Sequence, residues 1–99
     1  MGVIINYNQK GITLYYSNKS LLEADLKNLL NIETEGSGEG RNYKQVEQEA
    51  QLYLIKNAML ERPNRRLKKI VGISQDVIYD QDKKGLELKI ILKGTAIFK

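Results

Sequence analysis

The stretch NYKQVEQEAQLYLIKNAMLERP, residues 42 to 63, constrains the fold more than any other part of the chain. Asn42 is a favourable N-cap residue and Gln45 occupies the capping-box position, so a helix is predicted to begin here. Pro63, the only proline, disfavours helical conformation at the residue before it, and the helix is expected to end at about Arg62. The remaining elements must pack around this one long helix.

Apolar residues occupy two flanks of the predicted helix. One stripe consists of Val46, Ala50, Tyr53, Leu54 and Leu60, and the other consists of Leu52, Ile55 and Met59. A helix that rests on a single sheet needs only one apolar stripe. We therefore expect Leu52, Ile55 and Met59 to form an interface with another copy of the protein. The alternative is that a short first helix covers this second stripe within the chain.

The N-terminal part predicts a hairpin followed by that short helix. The runs VIINY (3–7) and ITLYY (12–16) are rich in β-branched and aromatic residues, and the intervening NQKG is typical of a turn. Ser20 and Glu23 then form a capping box before an amphipathic pattern, so a helix is predicted over residues 20–31.

The C-terminal part predicts a second hairpin, with strands over 67–80 and 86–99 joined by DQDKKG. In the last strand Leu86, Leu88, Ile90 and Leu92 alternate with polar residues, as in a half-buried strand. The fold class predicted is α+β in a single domain of residues 1–99. Its antiparallel sheet of two hairpins carries two helices on one face, in the order β-β-α-α-β-β.

Between the two predicted helices lies EGSGEGRNY, residues 35 to 43. It is neither a Walker loop, since no Lys-Ser or Lys-Thr follows the glycines, nor a dinucleotide fingerprint, since the glycine spacing differs. Glycine amides, the Arg41 guanidinium and a helix N-terminus can nevertheless bind an anion. Two interpretations stay open: a phosphate-binding loop that includes Gly38, Gly40, Arg41 and Tyr43, or a plain connector, which isolated glycine motifs favour.

A second candidate is RPNRRLKK, residues 62–69, which we call the basic turn. It contains five cations and no acid: Arg62, Arg65, Arg66, Lys68 and Lys69. A cluster of this kind either solubilises a turn or contacts a polyanion. Arg65 and Arg66 follow Pro63, where their guanidinium groups are placed to reach phosphates. Tyr15 and Tyr16 are adjacent on a strand and face opposite ways, and an exposed tyrosine beside arginines would stack on a base. The alternative, which general tyrosine usage favours, is packing at an interface.

The absence of cysteine and histidine excludes several classes of protein. Disulfides, zinc–thiolate sites and Ser-His or Cys-His nucleophile pairs are impossible, so we predict no enzyme, no cofactor and no metal site. The carboxylates Asp76, Asp80 and Asp82 do not have the spacing of a calcium loop. No apolar run approaches the length of a transmembrane helix, and the N-terminus does not have the pattern of a signal peptide. A cytoplasmic protein without a membrane partner is expected.

The second half of the chain contains several short motifs in a recognisable order. Gly40-Arg41 precedes Tyr43 at the start of a helix, IVGI follows at 70–73, and KGTAI closes the pattern at 93–97. In this order the motifs resemble those of the YbjQ-like family of small proteins, associated with heavy-metal binding. The resemblance implies a dodecin-like α+β subunit that assembles into a closed homo-oligomeric ring. The metal is not carried over, because the chain has neither cysteine nor histidine.

Together these features predict a non-enzymatic homo-oligomer that binds a small anionic, nucleotide-like ligand at subunit interfaces. Arg41, Arg65 and Arg66 would pair with phosphate. Sequestration of a signal nucleotide, as in phage-type sponge proteins, fits this interpretation. One alternative is a nucleic-acid-binding module that uses the basic turn, and another is a scaffold for a protein partner. The formal charge of +4 is low for nucleic-acid binding, and the twelve acidic residues of the chain dilute the cluster at 62–69.

Overall fold

A computed structural model of the protein describes residues 2–7, 10–16, 30–82 and 85–98. Its elements, in chain order, are β1 (Gly2–Tyr7), β2 (Lys10–Tyr15), β3 (Leu30–Gly40), α1 (Tyr43–Glu61), β4 (Leu67–Asp82) and β5 (Gly85–Phe98). The strands form one sheet in the order β1-β2-β4-β5-β3. Only β2 and β4 pair in parallel, and the other neighbours are antiparallel. The two predicted hairpins, β1–β2 and β4–β5, are confirmed.

The predicted order β-β-α-α-β-β is wrong. The described residues contain five strands and one helix in the order β-β-β-α-β-β, and their sheet is mixed rather than antiparallel throughout. Residues 20–29 of the predicted first helix lie outside the described residues, while residues 30–31 begin β3. The glycine segment is the second half of β3, because β5 pairs with it from Leu30↔Phe98 to Gly40↔Leu88 and supplies its hydrogen bonds.

The glycines of β3 allow α1 to lie directly on the strand. A Cβ atom at Gly36 would come within 2.2 Å of the Leu54 backbone nitrogen and 2.5 Å of the Ala50 carbonyl oxygen. At Gly38 it would come within 2.4 Å of the Val46 carbonyl oxygen. Real Cβ atoms do not approach backbone atoms so closely, and helix backbone cannot yield as a flexible side chain can. The G-x-G spacing is therefore a helix-docking surface, since alternate strand residues share one face.

The core lies between α1 and the face of the sheet that carries these glycines. Its fully buried side chains include Ile12, Leu14, Leu54, Ile55, Ile70, Ile90, Leu92 and Phe98. The predicted apolar face of the last strand is confirmed for Leu88, Ile90 and Leu92, whereas Leu86 is 52% exposed. Leu86 lies beyond the end of β3, which reaches only Leu88, so it has a neighbouring strand on the β4 side alone.

Helix α1 has the predicted cap and the predicted end, but it does not have two opposite apolar stripes. The Asn42 side chain accepts a hydrogen bond from the Gln45 amide, and Arg62 follows the last helical residue. Ile55 is fully buried in the core of the single chain and Met59 is half-buried against it. Of the three predicted interface residues, only Leu52 is largely exposed, at 42%, so within the single chain Ile55 and Met59 contribute to the core.

The physical reason is that the buried positions of α1 form one broad stripe. The buried residues are Val46, Ala50, Gln51, Leu54, Ile55 and Ala58, whose spacings of three, four and one keep them on one side of a helix. Tyr53 and Leu60, which belong to the first predicted stripe, are instead 44% and 67% exposed.

Within the described ranges, no helix combines the length and apolar character that crossing a bilayer requires.

Candidate anion-binding site at the basic turn

The basic turn is an ordered loop between α1 and β4. The Arg65 amide donates a hydrogen bond to the Arg62 carbonyl oxygen at 3.1 Å, which closes a β-turn with Pro63 at its second position. The Arg62 guanidinium donates to the Glu61 carbonyl oxygen at 2.8 Å and so caps the end of the helix. Arg65, Arg66 and Lys68 are exposed beyond this turn. The local hydrogen bonds hold the backbone and leave these three cations at the surface.

Strand pairing brings an aromatic ring to the last cation of the basic turn. Thr13 of β2 is the parallel partner of Lys69 in β4. The Lys69 Nζ atom lies 5.9 Å from the centroid of the Tyr15 ring, within the range of a cation–π contact. Tyr15 is only half-buried, so part of its ring faces solvent beside the cations. The sequence did not distinguish Tyr15 from Tyr16 as the ring that would stack on a base. The fold favours Tyr15, which lies beside Lys69.

Tyr16 has a different environment. Its hydroxyl oxygen accepts a hydrogen bond of 2.7 Å from the amide of Gln51, a residue only 5% exposed. Burial raises the pKa of Tyr16 above 10.0, the Gln51 hydrogen bond opposes this change, and the neighbouring Glu47 and Tyr43 add to it. Tyr16 therefore packs between the sheet and α1 as a neutral side chain and is not a stacking residue for a ligand.

The other predicted ligand residues lie at the opposite end of α1. Gly38 and Gly40 belong to β3, Arg41 is exposed after it, and Tyr43 is the first helical residue, where its hydroxyl accepts a hydrogen bond from Gln75. A helix of 19 residues is about 28 Å long. Arg41 and the basic turn therefore cannot contact one small ligand within a single chain. On the glycine face of β3, the backbone of α1 lies directly against Gly38.

Two cavities lie near the C-terminal half of α1, and neither is lined by clustered cations. The larger, about 750 Å³, is lined by Glu33, Thr34, Glu35, Asn57, Leu60, Glu61, Gly72, Ser74, Lys93, Gly94 and Thr95. The smaller, about 220 Å³, is lined by Glu35, Gly36, Ser37, Tyr53 and Asn57. Three glutamates against one lysine, itself 4.0 Å from Glu35, make the larger cavity unsuited to an anion. Among the described residues, the basic turn therefore carries the clustered exposed cations that neither cavity has.

Comparisons with protein-family models, with curated proteins and with solved structures found no match. The resemblance to the YbjQ-like family therefore stays a prediction. Within the described part of the chain, no three carboxylates lie close enough together to hold a metal ion. Functional inference for this chain starts from its own geometry.

Proposed function

We propose that this protein binds the phosphates of a polyanion, such as a nucleic-acid backbone, through the basic turn. The observation that carries the proposal is the exposure of Arg65, Arg66 and Lys68 around one ordered turn, with the Tyr15 ring beside Lys69. Arginine pairs with phosphate through a planar fork, and a ring next to cations offers a stacking surface for an unpaired base. Nothing in this arrangement requires a catalytic group, and the role is one of binding.

An open surface suits a polymer better than a single nucleotide. Cations exposed on a turn leave a small ligand largely hydrated, whereas a chain of phosphates can contact several of them in succession. Each neutralised phosphate releases condensed counterions, so affinity accumulates along the polymer and falls with added salt. This favours the nucleic-acid-binding alternative over a small ligand held within one subunit.

The test is a titration of labelled single-stranded and double-stranded DNA at several salt concentrations. Binding should weaken steeply with salt. The Arg65→Ala/Arg66→Ala variant should bind more weakly, with a log–log slope smaller by about one for each phosphate contact removed. The control is Lys44→Ala/Lys56→Ala, which removes the same charge from α1, where Lys44 and Lys56 are exposed. Equal losses in both variants, or no binding at low salt, would contradict the proposal.

A second candidate is the small nucleotide-like ligand between subunits, and the separation along α1 favours it. Because Arg41 and the basic turn lie at opposite ends of the helix, a head-to-tail contact would place Arg41 of one copy beside Arg65 and Arg66 of the next. Heterologous contacts form a ring when the rotation between copies closes and an open filament when it does not, and a closed ring suits a homo-oligomer that sequesters its ligand. Native mass spectrometry of protein purified from cells measures the subunit number and any retained ligand mass. A monomer without ligand would exclude this candidate and leave the polyanion proposal standing.

A further inference from the structure

The outer edge of β3 is open. β3 pairs with β5 on one side, and no strand of the described ranges pairs with its other side. The Glu35 carbonyl oxygen accepts a hydrogen bond of 2.7 Å from the Asn57 side chain on α1, not from β5. Because backbone groups alternate in direction along an antiparallel strand, the N–H and C=O groups of Glu33, Ser37 and Glu39 point outward as well. An open row of this kind is a template for another strand.

A groove runs along this edge, between the strand and α1. Both cavities described above share Glu35 and Asn57 at this edge, and the larger one also extends over β5 to Gly72 and Ser74 of β4. On the helix side, Tyr53 and Leu60 contribute apolar surface that is 44% and 67% exposed. On the strand side the larger cavity is lined by Glu33 and Glu35, while Glu61 is the last residue of α1. The groove thus combines exposed apolar side chains of the helix with an acidic strand wall and one carboxylate at the helix end, beside backbone groups that can form hydrogen bonds.

Charge selects the occupant of this groove. A second copy pairing β3 with β3 in antiparallel fashion about Gly36 would set Glu33 opposite Glu39. Like charges directly opposite each other in a sheet are destabilising. Of these glutamates, Glu35 and Glu39 have lysine neighbours on β5, at 4.0 Å and 3.4 Å, while Glu33 faces Thr95. Basic side chains would complement this wall, and glutamate-rich strands would not.

We propose that β3 accepts an extended peptide in which basic and apolar residues alternate, by addition of a strand to the sheet. Main-chain hydrogen bonds to the outward groups of Glu33, Glu35 and Ser37 provide affinity, and the two walls provide specificity. Because successive side chains of a strand point to opposite faces, the basic residues would lie beside the glutamates and the apolar ones beside Tyr53 and Leu60. An amide of the incoming strand would replace Asn57 at the Glu35 carbonyl oxygen.

The experiment uses the full chain and a short capped peptide of alternating lysine and leucine, with binding measured by calorimetry. Two control peptides separate the contributions. One has the same sequence with N-methyl groups on the amides of one edge, which blocks strand pairing, and the other has glutamate in place of lysine. We expect each control peptide to bind at least about tenfold more weakly than the lysine–leucine peptide. This difference corresponds to roughly 1.4 kcal/mol of binding free energy. Equal binding of the N-methylated peptide would overturn the proposal.

Substitutions in the protein test the same edge of β3 independently of the peptide controls. Ser37→Pro removes an outward N–H and places a ring in the path of the peptide, and proline is tolerated at strand edges. Ser37→Thr keeps the N–H and is the matched control. Peptide affinity should fall about tenfold only in the proline variant, while DNA binding at the basic turn stays unchanged. Should Ser37→Pro fail to fold, the peptide controls on the unaltered chain still decide. Self-association through β3, in place of peptide binding, also overturns the proposal.

Discussion

Two segments flank α1 in the chain, and each combines turn-forming residues with arginine. In the glycine segment of β3, β5 pairs with one edge of the strand and α1 covers its glycine face. In the basic turn a single backbone hydrogen bond from Arg65 to Arg62 closes the turn, and the cations beyond it are exposed. Closely spaced glycines therefore indicate that another group packs closely against the backbone. Here that partner is a helix of the same chain and not a phosphate.

The largest expected effect comes from filling the space that the helix occupies. Gly36→Ala should destabilise the protein by about 3 kcal/mol or prevent folding, because its Cβ would meet the backbone of Leu54 and Ala50. Chemical denaturation measures the change. Gly11→Ala is the matched control, since its Cβ would be 3.5 Å from the nearest atom, Ile4 Cγ2, an ordinary contact. Similar stabilities for the two variants would mean that α1 does not lie on β3.

The second prediction is a loss of DNA binding with little change in stability. Arg65→Ala/Arg66→Ala should lower the affinity for DNA about tenfold, as two charge-assisted phosphate contacts are lost. The free energy of unfolding should change by less than about 0.5 kcal/mol, because both side chains are exposed. Denaturation and DNA titration on the same samples provide the comparison. A large loss of stability here would show that the arginines support the fold instead.

A smaller effect is expected at the contact between β2 and α1. Tyr16→Phe should cost about 1 kcal/mol at neutral pH, since the buried Gln51 amide loses its acceptor. Because burial raises the folded-state pKa of Tyr16, its stabilising contribution is complete below 10.0 and is lost as pH rises through the folded pKa. The variant should lack this part of the alkaline decline. Denaturation midpoints between neutral and alkaline pH measure it, and parallel curves for both proteins would refute the assignment.

The smallest effect is expected on the face of the sheet opposite to α1. Glu39→Gln removes the pair with Lys89 at 3.4 Å, where the two side chains are 60% and 42% exposed. Exposed pairs contribute about 0–1 kcal/mol, so the change should be below about 0.5 kcal/mol and should vanish at high salt. Glu35→Gln, whose carboxylate is 4.0 Å from Lys93, is the comparison and should change stability still less. A larger, salt-independent loss would indicate a role for Glu39 in the β3–β5 pairing itself.

The elements that local chemistry specifies were predicted correctly. Asn42 and Pro63 bracket α1, because capping and the restriction before proline act within a few residues. The alternation of Leu88, Ile90 and Leu92 predicted the buried face of β5 for the same reason. The glycine segment was predicted wrongly, since glycine carries no side-chain pattern and its conformation depends on partners distant in the chain.

The candidate site also has one feature that the sequence predicted and others that it did not. Sequence alone identified the basic turn, because a cluster of cations without acids is visible in the order of residues. It did not identify Tyr15 as the neighbour of Lys69, which depends on parallel pairing between strands that are far apart in sequence. The open edge of β3 and its acidic groove were missed entirely, since no local pattern reports which strand ends a sheet.

The sequence by itself determined where α1 begins and ends, that Leu88, Ile90 and Leu92 of the C-terminal strand are buried, and where positive charge is concentrated. The tertiary structure alone decided that Gly36 and Gly38 receive a helix, that Arg41 and Arg65 lie a helix length apart, and that Ile55 belongs to the core. The physical reason is range. Capping, alternation and charge clustering act between near neighbours, whereas strand order and helix docking depend on contacts between residues far apart in the chain.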